Sequence, residues 1–121
     1  MLKIDWNEEL WIIDGKLINL SNKKKQILNL NNKIILIENA DPRYDWIFTK
    51  NPLGLITKYG GVVSHMAIRC AELGLPAAIG CSEILFNYLS SANLISLDCK
   101  SEQIFILKSE NLDKFLEEKK H

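Results

Sequence analysis

Residues 54–80, GLITKYGGVVSHMAIRCAELGLPAAIG, decide how this chain folds. Gly54-Leu55-Ile56-Thr57 has the unbroken apolar character of a buried strand. Tyr59-Gly60-Gly61 then turns the chain. Ser64 to Leu73 has helical character, with Gly74 placed as a C-cap and Pro76 beyond it. Ala77 to Ile79 reads as another strand. Two buried strands therefore flank one helix, and the only histidine of the chain's interior, His65, falls in that helix's first turn.

The alternation continues outward. Ile34-Ile35-Leu36-Ile37 is a short β-branched run, the pattern of a strand buried on both faces. Asp41-Pro42 follows, an N-cap residue with proline at the first helical position, so a short helix is expected through Trp46 and ended by Asn51-Pro52. Downstream, Ser82 caps a helix to about Leu89. Leu94–Leu97 and Ile104–Leu107 read as strands, and Ser109 opens a charged C-terminal helix. At the other end, LWIIDGKLINL reads as a hairpin, with Trp11 to Ile13 and Leu17 to Ile18 flanking an Asp14-Gly15 turn. Together these elements predict one α/β domain, residues 1–121, with a mixed sheet and flanking helices.

Bulk properties narrow the function. The chain has 121 residues, 47% hydrophobic and 25% charged, with 15 basic and 15 acidic side chains and formal net charge zero. That balance gives no electrostatic pull toward nucleic acid or an anionic membrane. Lys23-Lys24-Lys25 is a short run between Asn and Gln residues and reads as a solvated turn. No apolar stretch approaches the roughly 20 residues that span a bilayer. The N-terminus MLKIDWNEEL carries acidic residues where a signal peptide needs an apolar run, so a cytoplasmic location is expected. Cys70, Cys81 and Cys99 form no CxxC pair and are odd in number, which suits small core-filling residues in a reducing compartment.

His65 raises the chemical question. A helix start presents unpaired N–H groups and the positive end of the helix dipole, which favour an anion. Gly60 and Gly61 remove side chains that would block close approach and permit unusual backbone angles. The positive helix end also favours the neutral ring, with a nitrogen lone pair available. These conditions suit a histidine that accepts a phosphoryl group. A surface or satisfied core histidine remains open beside that reading. A zinc site lacks ligands, since Cys70 and Cys81 are not at a usual metal spacing and His121 sits in a charged tail. A Cys/His nucleophilic pair has no local support. A P-loop is excluded, because no Gly-Lys-Ser/Thr follows the glycines.

The stretch GGVVSHMAIRCAELGLPAAIG closely resembles the phosphohistidine motif of the phosphoenolpyruvate-utilising enzymes. That family includes phosphoenolpyruvate synthase, pyruvate phosphate dikinase, enzyme I of the sugar phosphotransferase system and rifampin phosphotransferase. Thr57, Gly60, Gly61, Ser64, His65, Ala67, Ile68, Glu72, Leu73, Gly74, Pro76, Ala77 and Gly80 fall into step with the family pattern. The resemblance reaches upstream to IILIENADPRYDW and fades downstream of LISLDC, covering roughly residues 33 to 107. It implies a swivelling β/β/α domain on which His65 is phosphorylated. Thr57, Gly60, Gly61 and Ser64 would support the phosphate loop, with Ser64 either the helix N-cap or a donor to a phosphate oxygen.

The resemblance also implies partners, in the same chain or a separate one. These are an ATP-grasp-type nucleotide-binding domain and a phosphoenolpyruvate/pyruvate or other acceptor domain. Mg2+ and ATP or phosphoenolpyruvate would bind on those domains, with no metal or cofactor on this one. The chain has no nucleotide loop and is too short for a roughly 200-residue barrel, so turnover by this domain alone is not expected. Two departures stand out. The arginine that usually precedes the Glu of Glu-Leu-Gly is Ala71 here. Arg69 lies two residues earlier, about 200° round the helix, and reads as a solvent-facing residue or a displaced phosphate aid. The family's Asp-Gly after the late strand is Asp98-Cys99. A non-catalytic domain that keeps the fold for binding or regulation is the alternative function.

Overall fold

The computed structural model describes residues 12–20, 29–61, 63–99 and 101–109. Six strands form one mixed sheet in the order β4-β3-β2-β1-β5-β6. They are β1 (Ile12–Asn19), β2 (Ile34–Asn39), β3 (Gly54–Tyr59), β4 (Ala77–Ala78), β5 (Ala92–Asp98) and β6 (Gln103–Ser109). β1, β2, β3 and β4 run parallel to one another, whereas β5 runs antiparallel to β1 and β6 antiparallel to β5. A 3-10 helix (Pro42–Lys50) joins β2 to β3, helix α1 (His65–Leu73) joins β3 to β4, and helix α2 (Glu83–Leu89) precedes β5. The mixed α/β sheet expected from the alternating pattern is the fold observed.

Period-two alternation divides the core. Ile35, Ile37 and Leu55 point to the side covered by Met66, Ala67 and Cys70 of α1 and Ile47 of the 3-10 helix. Ile34, Leu36 and Ile56 point to the opposite side, against Phe86 and Leu89 of α2 and Ile95 and Leu97 of β5. Ile34 to Ile37 are all fully buried, as a strand covered on both faces requires. The sheet also curls. Cys99, just beyond β5, places its sulfur 3.7 Å from the Ala77 carbonyl of β4, although three strands separate β4 from β5 in the sheet.

Several expectations are corrected. Asp14-Gly15 is not a turn: β1 runs straight through it, pairing Asp14 with Ser96 and Gly15 with Ile95. Glycine serves close packing there, since a Cβ on Gly15 would stand 2.7 Å from Leu53 Cδ2. The partner strand that makes this segment continuous comes from about eighty residues downstream, beyond any local signal. The helix after Asp41-Pro42 is a 3-10 helix that continues to Lys50. Asn51 stops it at φ 53° in the left-handed region. Ser109 is the last residue of β6. The expected C-terminal helix beyond it, the Lys23-Lys24-Lys25 turn and Trp11 lie outside the described residues. Among the described residues, no helix is long and apolar enough to cross a membrane.

Candidate functional site

The site sits where β2, β3 and β4 end, the edge at which open α/β sheets commonly present their chemistry. Thr57 anchors it from beneath. It is fully buried, donates its hydroxyl to the Tyr59 carbonyl at 2.9 Å and accepts the Gly80 N–H at 3.0 Å. One side chain thus ties the loop after β3 to the loop after β4. The Cys81 N–H adds a bond to the Thr57 carbonyl at 2.8 Å. Thr57 is a fastener of the loop and does not reach the surface.

The two glycines divide sharply. Gly60 has φ 130°, and a Cβ there would stand 2.6 Å from Ala40 Cβ and 3.2 Å from Ile79 Cγ2. Gly61 has no positive φ, and a Cβ there would meet nothing within 4 Å. The conformational demand expected of the pair falls on Gly60 alone; Gly61 is an exposed, open position. Gly80 shares the constraint, with φ 73° and a Cβ position 2.6 Å from the Gly60 carbonyl oxygen. The two loops therefore touch backbone to backbone.

Ser64 takes the first of its two expected roles. It has extended backbone (φ −67°, ψ 155°), and its hydroxyl oxygen accepts the Ala67 N–H at 3.3 Å, an N-cap bond. The Ser64 carbonyl accepts the Ile68 N–H at 3.1 Å. His65 is the first helical residue, and its side chain is 42% exposed. Met66 and Ala67 beside it are buried, which fixes the helix and turns the imidazole outward.

The ring is not alone. His65 Nε2 lies 2.9 Å from Asp45 Oδ1, on the 3-10 helix. The same oxygen accepts from Arg69 Nε at 3.3 Å, and Arg69 Nη1 reaches Glu72 Oε2 at 3.2 Å. Arg69, one turn below His65 on α1, is only 33% exposed, and its guanidinium lies 5.5 Å from the centre of the Phe48 ring. The solvent-facing reading of Arg69 is corrected: its aliphatic stem and fork lie along the 3-10 helix. Chiefly the hydrogen bond from His65, and then the Arg69 charge, hold the Asp45 carboxyl below the usual carboxylate range. Ala71, at the usual arginine position, is exposed.

Asp45 escaped sequence reasoning, although IILIENADPRYDW contains it. Twenty residues separate it from His65. A helix after Asp41 was legible, but its 3-10 winding, which sets the direction of each side chain, was not. Among the described residues, no group of three or more His, Cys, Asp and Glu could hold a metal ion. Cys70, Cys81 and Cys99 are buried thiols outside any disulfide, as core-filling residues.

Comparison with known proteins places this geometry. The family described as PEP-utilising enzyme, mobile domain, matches residues 29–102, which contain every site residue discussed above. A phosphoenolpyruvate-protein phosphotransferase of Buchnera aphidicola subsp. Schizaphis graminum (strain Sg) is 29% identical over 109 residues. That alignment takes in 90% of this chain but 18% of the relative, so the chain spans about a fifth of the protein it resembles. The match runs through β2, the 3-10 helix, β3, the glycine loop, α1 and β5, and the chain belongs to the family of PEP-utilising enzyme mobile domains.

Proposed function

We propose that this domain is a phosphoryl carrier on which His65 accepts a phosphoryl group at one site and surrenders it at another. The observation that carries the reading is the placement of His65: a half-exposed imidazole at the first position of α1, beside an open Gly61. The ring can enter a partner's active site while its backbone stays anchored through Thr57 and Ser64. Met66 and Ala67 hold the helix to the core, so the nucleophile is oriented before it arrives.

Phosphoryl transfer asks chiefly for positioning and charge stabilisation. This chain supplies the nucleophile, the helix start and one arginine. In the proposed cycle, Mg2+ and the donor sit on an ATP-grasp-type nucleotide-binding domain or a phosphoenolpyruvate site, and the acceptor domain handles phosphoenolpyruvate/pyruvate or another substrate. The domain does not turn over by itself in this scheme. The test is labelling with γ-labelled ATP or labelled phosphoenolpyruvate together with the cognate partner domains. One phosphate per chain is expected, acid-labile and base-stable, as an N–P bond on imidazole is. His65→Ala should abolish it and His121→Ala should leave it intact. Label that persists in His65→Ala overturns the proposal.

A further inference from the structure

His65 presents its outer nitrogen, Nε2, not to solvent but to Asp45. Nδ1 adjoins the ring's attachment to the helix, so Nε2 is the nitrogen a partner reaches with least obstruction. The carboxylate thus occupies the place an incoming phosphoryl group needs. Only one Asp45 oxygen is involved, and it serves both Nε2 and the Arg69 guanidinium. Glu72 supports Arg69 from the other side, at 3.2 Å. An ionised Asp45 and a phosphoryl dianion cannot share Nε2, because their charges repel at contact distance. A guanidinium, by contrast, binds either anion with the same fork of donors.

We propose that Asp45 and Arg69 form an exchange cradle: Asp45 holds the Nε2–H of the unmodified ring, the phosphoryl group displaces it, and Arg69 passes from the carboxylate to a phosphoryl oxygen. This rests on His65 being the carrier residue. In the step, the carboxylate releases Nε2 and the ring proton moves to Nδ1 through solvent. The Nε2 lone pair then forms the N–P bond as the donor's bond to phosphorus breaks, and the leaving group keeps that electron pair. Arg69 is a positioning residue for the unmodified ring and a direct ligand of the modified one. Asp45 biases the tautomer and shields the nitrogen between transfers.

Potassium phosphoramidate, which phosphorylates imidazole directly and releases ammonia, tests this without any partner domain. The full chain carrying His121→Ala is used, with nitrogen-15 spectra of the His65 ring at about pH 9, where an ordinary imidazole is neutral. The Nε2–H tautomer should dominate in the parent, and Asp45→Ala should shift the ring away from it while labelling proceeds as fast or faster. The phosphate should reside on Nε2. Arg69→Ala should slow labelling about tenfold, the size of one charge-assisted hydrogen bond, with part of the rate returning in Arg69→Lys. Phosphate on Nδ1, a tenfold slower Asp45→Ala, or an Arg69→Ala equal to the parent each overturns the exchange. Should Asp45→Ala fail to fold, Asp45→Asn gives the same tautomer readout without the charge. Failure of partner-dependent labelling of His65 would instead strike the carrier function and leave these chemical results standing.

Discussion

At the scale of single residues, the loop that carries His65 depends on two glycines for a backbone reason and on a third for none. Gly60 at φ 130° and Gly80 at φ 73° face each other, and the Cβ positions of both are already occupied by neighbours. Left-handed or extended-positive backbone costs a non-glycine residue about 1–3 kcal/mol, and the contact with Ala40 adds overpacking. Gly60→Ala should therefore lower the thermal midpoint by roughly 10 °C in a domain of this size. Gly61→Ala meets open space and should change stability by less than about 0.5 kcal/mol. Thermal unfolding of the two variants side by side checks this, and equal losses would contradict the assignment. With stability matched, any loss of phosphoryl transfer in Gly61→Ala or Gly61→Val would report crowding against a partner or the phosphate, not a disturbed fold.

At the scale of elements, the 3-10 helix is the part whose behaviour the site depends on most. Its N-cap, Asp41, accepts the Arg43 N–H at 2.9 Å and pairs with the Arg43 side chain, and Asp45 follows with His65 and Arg69. Both carboxyls are held below their ordinary value of 3.8, Asp41 chiefly by the Arg43 side chain and Asp45 chiefly by His65. A lowered folded value means stabilisation that is complete above about pH 4 and is lost as pH falls through the lowered values. Asp41 is 27% and Asp45 47% exposed, so solvent screens both pairs and the effect on global stability is small. The local effect is expected to be clear. Exchange of the Arg43 and Tyr44 amides should accelerate below about pH 4 relative to amides of β2, once the intrinsic pH dependence is removed. Asp41→Ala should produce the same acceleration at neutral pH. Unchanged protection in both conditions would show that Ile47 packing alone holds the element.

This element also marks how far the sequence could be read. Ile34–Ile37, Gly54–Thr57, the capped α1 and the strands around Ile95 and Ile104 were legible, because burial on both faces, N-caps and a Gly74 C-cap are local patterns. Asp14-Gly15 misled, because a turn signal and a glycine needed beside Leu53 look identical without the partner strand. His65 at the helix start, Ser64 as its cap and the demand on Gly60 were legible from their neighbours, whereas the same demand on Gly61 is absent. Asp45 and the half-buried Arg69 were not, since their pairing exists only once β2 and β3 set the 3-10 helix against α1. Lys58 was missed for the same reason. It is 9% exposed, on the face of β3 opposite Thr57, between Glu38 at 3.7 Å and Glu83 at 3.8 Å.

At the scale of the whole molecule, one curled sheet carries two cores that share the central strands β2 and β3, whereas β5 feeds the core under α2. Adjacent residues of β2 feed opposite cores, so neither side can lose its packing without displacing the strand that supports the other. The cysteines report on both sides: Cys70 lies in the core under α1, and Cys81 and Cys99 lie in the core under α2. Burial pushes the Cys70 thiol up to about 12 and raises Cys81 as well. A protonated, enclosed thiol does not react with a disulfide reagent, so modification at pH 8 requires an opening of the fold. If the sheet unites the two cores, all three thiols should be modified through the same opening. Their opening free energies should agree within about 0.5 kcal/mol and fall with one common urea slope. Ile35→Ala, which leaves a cavity on the α1 side, should lower all three together by about 2–5 kcal/mol. Selective acceleration of Cys70 in that variant would show instead that the α1 face, and His65 with it, opens as a unit of its own.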